Sequence, residues 1–163
     1  MTETDQRIQG AVREMSVLMA NLYYYMTKEM IETYGEDAKA VIKRAMINFG
    51  LDRGQRIAEK VKAAGGELTI ENLDKYYDMP IVEGWTPQRQ YYPDHKDNVT
   101  PSCTFADVWL QRDWAEVGHI YCVVDTAIRQ GYSDHVKFCP IQNILMGDPC
   151  CQSRTIYCEN NKE

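Results

Sequence analysis

Apolar side chains recur at intervals of three and four from Ile8 to Met30, through Val12, Met15, Met19, Leu22 and Met26. This spacing draws one stripe along a helix over residues 5–34. A helix of that length is stable only if its stripe is covered, so the rest of the chain must supply a partner. Thr4 or Asp5 can cap its start and Gly35 can end it. A second helix follows over residues 36–64, with Ala38, Val41, Ile42, Ala45, Phe49, Ile57 and Val61 as its buried face. Gly50 and Gly54 lie inside it, and each weakens a helix by roughly 1 kcal/mol relative to alanine. They therefore mark a bend or a close crossing with the first helix. Gly65-Gly66 ends it. We expect the two long helices to pack together through their stripes, with Leu22 and Ile42 buried.

A short helix is expected next, capped at Thr69 and running to about Tyr76. Residues 77–98 change character, because Pro80, Pro87 and Pro93 interrupt any helix. We read this stretch as loops with short strands, part of it a rim or lid over a site. Beyond it, Val99 to Phe105 suits a strand, and Phe105 to Gly131 suits a helix in two pieces broken near Gly118. Val136 to Leu145 and Cys150 to Cys158 suit two strands joined by the turn Met146-Gly147-Asp148-Pro149. The expected class is α+β. Two long N-terminal helices pack with a small antiparallel sheet, and a further helix pair lies in the C-terminal half. We expect one domain over residues 1–163, with a helical part (1–76) and a mixed part (77–163) that carries the site.

The chain has 24 acidic and 18 basic side chains, a formal charge of −6, and no run of Lys or Arg longer than two. A nucleic-acid footprint and docking on acidic lipid are therefore not expected. No stretch approaches the ~20 apolar residues of a membrane span. The opening Met1-Thr2-Glu3-Thr4-Asp5 lacks the basic and then apolar pattern of a secretory leader. The expectation is a cytoplasmic protein with a small-molecule substrate, self-association being left open. All six cysteines lie from Cys103 onward. In a reducing compartment we expect free or metal-bound thiols and no structural disulfide.

Two constellations suit chemistry. At ~100° per residue, His119, Cys122, Asp125, Thr126 and Arg129 fall within one sector of roughly 120° on a helix. A thiol is the strong nucleophile among side chains when a neighbouring cation lowers its pKa. A carboxylate can orient or deprotonate water, and an Arg can grip a substrate carboxylate through two parallel hydrogen bonds. Cys122 is the preferred nucleophile, with Arg129 expected to lower its pKa. The second constellation is Gly147-Asp148-Pro149-Cys150-Cys151 at the hairpin turn. By strand alternation Cys151 shares a face with Ser153, Thr155 and Tyr157; as a thiol next to the turn, and so more accessible, it is the alternative nucleophile. Cys103, Cys122 and Cys151 come from three elements, and convergence with His119 or Asp125 would supply four zinc ligands. No C-x-x-C pair is present. His95 can reach the site as a base if the loop carrying Trp85 to His95 closes as a lid; His135 reads as structural.

These residues resemble a known family. Cys103, Trp109, Gly118-His119-Ile120-Tyr121-Cys122-Val123-Val124-Asp125, Phe138 and Leu145-Met146-Gly147-Asp148-Pro149-Cys150-Cys151 are similar to the L-2-amino-thiazoline-4-carboxylic acid hydrolase family. Tyr34-Gly35 and Gly50 through Gly54 also fit. The resemblance implies hydrolytic opening of a small cyclic amidine, with Cys103, Cys122, Asp125, Gly147, Asp148 and Cys151 as the positions that matter and no cofactor. Catalysis would fall to Cys122, Asp125, Cys151 and His119, and substrate binding to Arg129, Cys103, Asp148, Trp85 and His95. A fainter resemblance is to the vinyl-4-reductase small-molecule-binding domain, which implies a sensor with cysteine-bound zinc. Asn143 stands where that domain's earlier cysteine belongs.

Overall fold

The computed structural model describes residues 3–79, 85 and 87–158, with side chains described from Gln6 onward. The chain is α+β. Helix α1 (Glu3–Tyr34) leads into α2 (Ala38–Ala63) and the short α3 (Ile70–Lys75). Strands β1 (Gln88–Tyr91) and β2 (His95–Thr100) precede helices α4 (Thr104–Leu110), α5 (Ala115–Tyr121) and α6 (Val123–Tyr132). Strands β3 (Val136–Gln142) and β4 (Cys151–Tyr157) close the chain, with a 3-10 turn at Ile144–Met146 between them. The four strands form one antiparallel sheet in the order β1-β2-β4-β3. Among the described residues no helix is long and apolar enough to cross a membrane.

Helix α1 buries a different face from the one its methionines suggest. Ser16, Ala20, Tyr23 and Thr27 are buried, while Met15, Leu22 and Met26 are 58%, 61% and 57% exposed. The reason lies in α4 and α5, which bring two indoles to α1. Trp109 Nε1 donates to the Ala20 carbonyl at 2.9 Å, and Trp114 Nε1 donates to Thr27 Oγ1 at 3.0 Å. Tyr23 returns a bond from its hydroxyl to the Val117 carbonyl at 2.8 Å. Buried indole N–H groups need acceptors, and large rings need small neighbours; the Ser/Ala/Thr stripe supplies both. The expectation of a buried Leu22 is thus corrected, whereas Ile42 is buried at 2%.

The glycines of α2 do mark a close crossing, but with α6 rather than α1. A Cβ on Gly50 would lie 2.5 Å from Ala127 Cβ, and one on Gly54 would lie 2.7 Å from Tyr132 N. Helix α2 then ends at Gly65, whose φ of +73° lets the chain reverse while Gly66 N bonds back to the Val61 carbonyl at 3.0 Å. Thr69 caps α3 by accepting from Asn72 N at 3.2 Å.

The C-terminal helices break elsewhere than expected. Gly118 lies inside α5, where its missing Cβ makes room for the Trp109 ring; a Cβ there would sit 2.6 Å from Trp109 Cε3. The breaks fall at residues 111–114 and at Cys122. The strand expected over Val99 to Phe105 ends at Thr100, because Pro101 has no N–H to continue the ladder and Thr104 already opens α4.

Two buried clusters result. Tyr23, Ile42, Phe105, Trp109, Val117 and Leu145 form one, and Ile57, Val61, Leu73, Val124, Ile128 and Tyr132 form the other. Tyr121 packs against both.

Candidate functional site

The sheet has an unusual inner face. Strand alternation turns Lys96, Asn98 and Thr100 of β2 to the same side as Cys151, Ser153 and Thr155 of β4, and pairing sets them opposite one another. Lys96, Thr100, Ser153 and Thr155 are buried although polar. A sheet with such a face does not close onto a dry core. It floors a cavity of about 490 Å³, roofed by α5 and α6 and walled by α2 and α4.

Helix α6 presents Asp125, Thr126 and Arg129 to this cavity, and Cys122 enters it from the junction with α5. Turns at 3.0 Å (Cys122 N to the His119 carbonyl) and 3.2 Å (Asp125 N to the Cys122 carbonyl) carry the chain through that junction. Arg129 is 9% exposed and its guanidinium lies 4.6 Å over the Phe138 ring. Its Nη1 donates to the Asp125 carbonyl at 3.0 Å and to Asp125 Oδ1 at 3.2 Å. Its Nε is buried without a hydrogen-bond partner among the described residues. Two further cations in the lining are paired. Arg53 grips Asp78 with two bonds, at 2.8 and 2.6 Å, and Lys96 Nζ lies 2.7 Å from both oxygens of Asp74.

Cys103, Cys122 and Cys151 all line the cavity. Burial pushes the Cys122 thiol up to about 12, with the Asp125 carboxylate adding to the rise. The expected lowering by Arg129 does not occur, because that guanidinium is already paired with Asp125. Burial raises Cys103 and Cys151 too. Cys103 Sγ accepts from Trp85 Nε1 at 3.2 Å, and Cys151 Sγ accepts from Ile144 N at 3.5 Å. All six cysteines are free. Among the described residues no group of three or more His, Cys, Asp or Glu side chains is arranged to hold a metal ion.

His119 lines the cavity from its exposed rim, and Trp85 lines it beside Cys103. His95 does not enter it. Its ring stacks on Tyr92 at 4.3 Å and contacts Asp94 Oδ1 at 2.7 Å, because odd positions of β2 face outward. Asp148 is also absent from the lining; its Oδ2 accepts from Asn143 N at 2.7 Å and ties the turn after β3. Of the expected lid, residues 80–84 and 86 lie outside the described residues, and residues 88–91 are the edge strand β1. Sequence reasoning missed Arg53, Tyr77, Lys96 and the small polar residues of β2 and β4. The alternation of Lys96, Asn98 and Thr100 was the available signal, masked because neither face of β2 is apolar.

A family model matches residues 15–155 and describes L-2-amino-thiazoline-4-carboxylic acid hydrolase. The chain belongs to that family. No curated protein matches it. Among solved structures, its fold is similar to that of a trafficking protein particle complex subunit 3 from Naegleria fowleri, described as covalently bound to palmitic acid. The TM-score is 0.53 and the identity 15%, over 91% of this chain and 98% of that one. At that identity the likeness concerns the fold alone.

Proposed function

We propose that this family member hydrolyses a small cyclic amidine that carries a carboxylate, using Asp125, Cys122 and Arg129. The observation that carries the reading is Arg129, a buried cation that lines the cavity and whose Nε has no hydrogen-bond partner among the described residues. Leaving such a donor unsatisfied costs about 1–3 kcal/mol, and more for a charged group. A substrate carboxylate in the cavity meets this guanidinium and offsets that cost through charge pairing and hydrogen bonds.

With the carboxylate so held, Asp125 lies on the same helix face to serve the amidine. Water oxygen bonds to the amidine carbon and passes a proton to Asp125. The C=N electron pair moves to the ring nitrogen, which takes the remaining hydroxyl proton as the carbonyl forms; the ring bond from that carbon to sulfur breaks, and sulfur takes the proton from Asp125 to leave a carbamoyl amino acid with a free thiol. This route needs no thiolate, in keeping with a Cys122 thiol at about 12. In the covalent route, Cys122 gives its proton to Asp125, its sulfur bonds to the amidine carbon as the ring C–S bond breaks, and the ring sulfur takes that proton; water then adds to the carbon, Cys122 leaves with one of its protons, and the other goes to the amidine nitrogen as the carbonyl forms. Cys151 can act in the same way, and His119 can relay protons at the rim.

The test is release of free thiol from L-2-amino-thiazoline-4-carboxylate by the purified protein. Asp125→Asn should lower kcat by about 100-fold or more, and Arg129→Met should raise KM. On the direct route Cys122→Ser and Cys151→Ser each lose less than about tenfold and no enzyme adduct is trapped, since neither thiol carries a step worth ~1.4 kcal/mol. A loss confined to Cys122→Ser or to Cys151→Ser, with an adduct at that residue, moves the reaction to the covalent route there. Full activity of Asp125→Asn, or no thiol release from the wild type, sinks the proposal.

A second reading, a small-molecule-binding module without turnover, is favoured by the similar fold of a protein described as covalently bound to palmitic acid. Its zinc-bearing form predicts stoichiometric metal that leaves when any of Cys103, Cys122 or Cys151 is replaced.

A further inference from the structure

The cavity is larger than a single thiazoline ring requires. Its volume of about 490 Å³ lies within the roughly 300–1,000 Å³ of pockets that hold drug-sized ligands. The small ring with its amine and carboxyl group is only a fragment of such a ligand.

The lining is sorted by chemistry. Arg129 lies against Phe138 and Tyr77, and Tyr77 packs on the second buried cluster. Of the lining aromatics, Trp85 and Phe105 belong with the first cluster, and Tyr121 packs against both. Trp85 meets Phe105 edge-on at 5.3 Å and 84°, and Phe105 meets Tyr121 edge-on at 5.3 Å and 86°. Trp85 precedes the sheet and belongs to no helix or strand. Its indole N–H is held by Cys103 Sγ at 3.2 Å, which fixes one edge of the ring on the cavity wall.

Resting on the carboxylate role given above to Arg129, we propose that this aromatic compartment takes an apolar, ring-bearing side chain. The substrate class is then a carboxylate-bearing aminothiazoline with an aromatic substituent, with that ring among Trp85, Phe105 and Tyr121. An aromatic guest can meet these rings edge-to-face, the arrangement they already adopt with one another. Arg129 fixes the carboxylate of the same ligand.

The probes are N-carbamoyl-L-phenylalanine and N-carbamoyl-L-alanine, titrated calorimetrically into the full chain. Both carry the carboxylate and carbamoyl group of the product class and differ only in the ring. The expected result is tighter binding of the phenylalanine probe by about tenfold or more, from burial of its ring. Arg129→Met should weaken both probes, and Trp85→Ala should narrow the ratio between them. Equal affinities in the wild type overturn the aromatic compartment and leave the carboxylate reading standing. A ratio unchanged in Trp85→Ala, with the helical circular dichroism of the wild type, overturns the part given to Trp85. Binding of neither probe at millimolar concentration overturns both readings.

Discussion

Replacing Gly54 with alanine separates two opposed physical effects. Helix propensity alone favours alanine by roughly 1 kcal/mol. The crossing with α6 opposes it, because the new Cβ would meet three backbone atoms: the Ile128 carbonyl oxygen, Tyr132 N and Gly131 C. Backbone cannot swing away as a side chain can. Bringing Tyr132 N from 2.7 Å to the 3.4 Å where ordinary contact begins requires α6 to withdraw by at least 0.7 Å (3.4 − 2.7). That withdrawal opens gaps around Ile57, Val61 and Ile128, all fully buried. Overpacking of this kind costs ~1–3 kcal/mol, and the rigid obstruction puts Gly54 at the upper end. Net of propensity, Gly54→Ala should lose about 2 kcal/mol. In a chain of this size the melting temperature should then fall by about 4–8 °C. Gly10, exposed on α1 with no atom within 4 Å of an added Cβ, is the internal control. Gly10→Ala should stabilise by up to ~1 kcal/mol. Urea midpoints at constant slope give both values. If Gly54→Ala stabilises as much as Gly10→Ala, the close crossing is wrong.

Other outcomes follow from the same contacts. Leu22→Ala should change stability by less than ~0.5 kcal/mol, while Ile42→Ala should lose about 2–5 kcal/mol; urea unfolding reads both. Because the folded-state pKa of Cys122 is raised from 9.0 to about 12, its contribution to stability is complete below pH 9 and fades as pH rises towards 12. Cys122→Ala should therefore flatten the alkaline fall in stability over that window, and an unchanged alkaline limb would argue against a buried thiol. Iodoacetamide should label exposed Cys139 well before Cys122 at neutral pH, which peptide mass spectrometry resolves. Asp148→Ala should lose about 1 kcal/mol by releasing Asn143 N, read from the thermal midpoint.

What could be read in advance was what depends on near neighbours. The ends of α2, the Thr69 cap and the inward set Cys151, Ser153 and Thr155 follow from local rules, and all three are found. Asp125, Thr126 and Arg129 reach the cavity from α6 and Cys122 from the break before it, because these positions are close in sequence and share one side of the chain. The face of α1 was not legible, since it depends on two indoles more than eighty residues away that need acceptors and space. Gly118 misled for a similar reason: its absent side chain accommodates Trp109, not a break in the helix. The cavity floor escaped notice because a polar sheet face has the same sequence signature as a solvated one.

Each indole of the protein is tethered by its N–H to a different acceptor: Trp109 to a carbonyl, Trp114 to a hydroxyl and Trp85 to a thiol. Emission from the chain therefore has two structural sources and one local one. Trp109 and Trp114 report whether α1 is docked on α4 and α5, and their signal should vanish only when the helices part. Trp85 stands against a sulfur atom on the cavity wall, and sulfur quenches indole emission on contact. A guest that displaces the Cys103 thiol from that ring should brighten Trp85 while the other two stay unchanged.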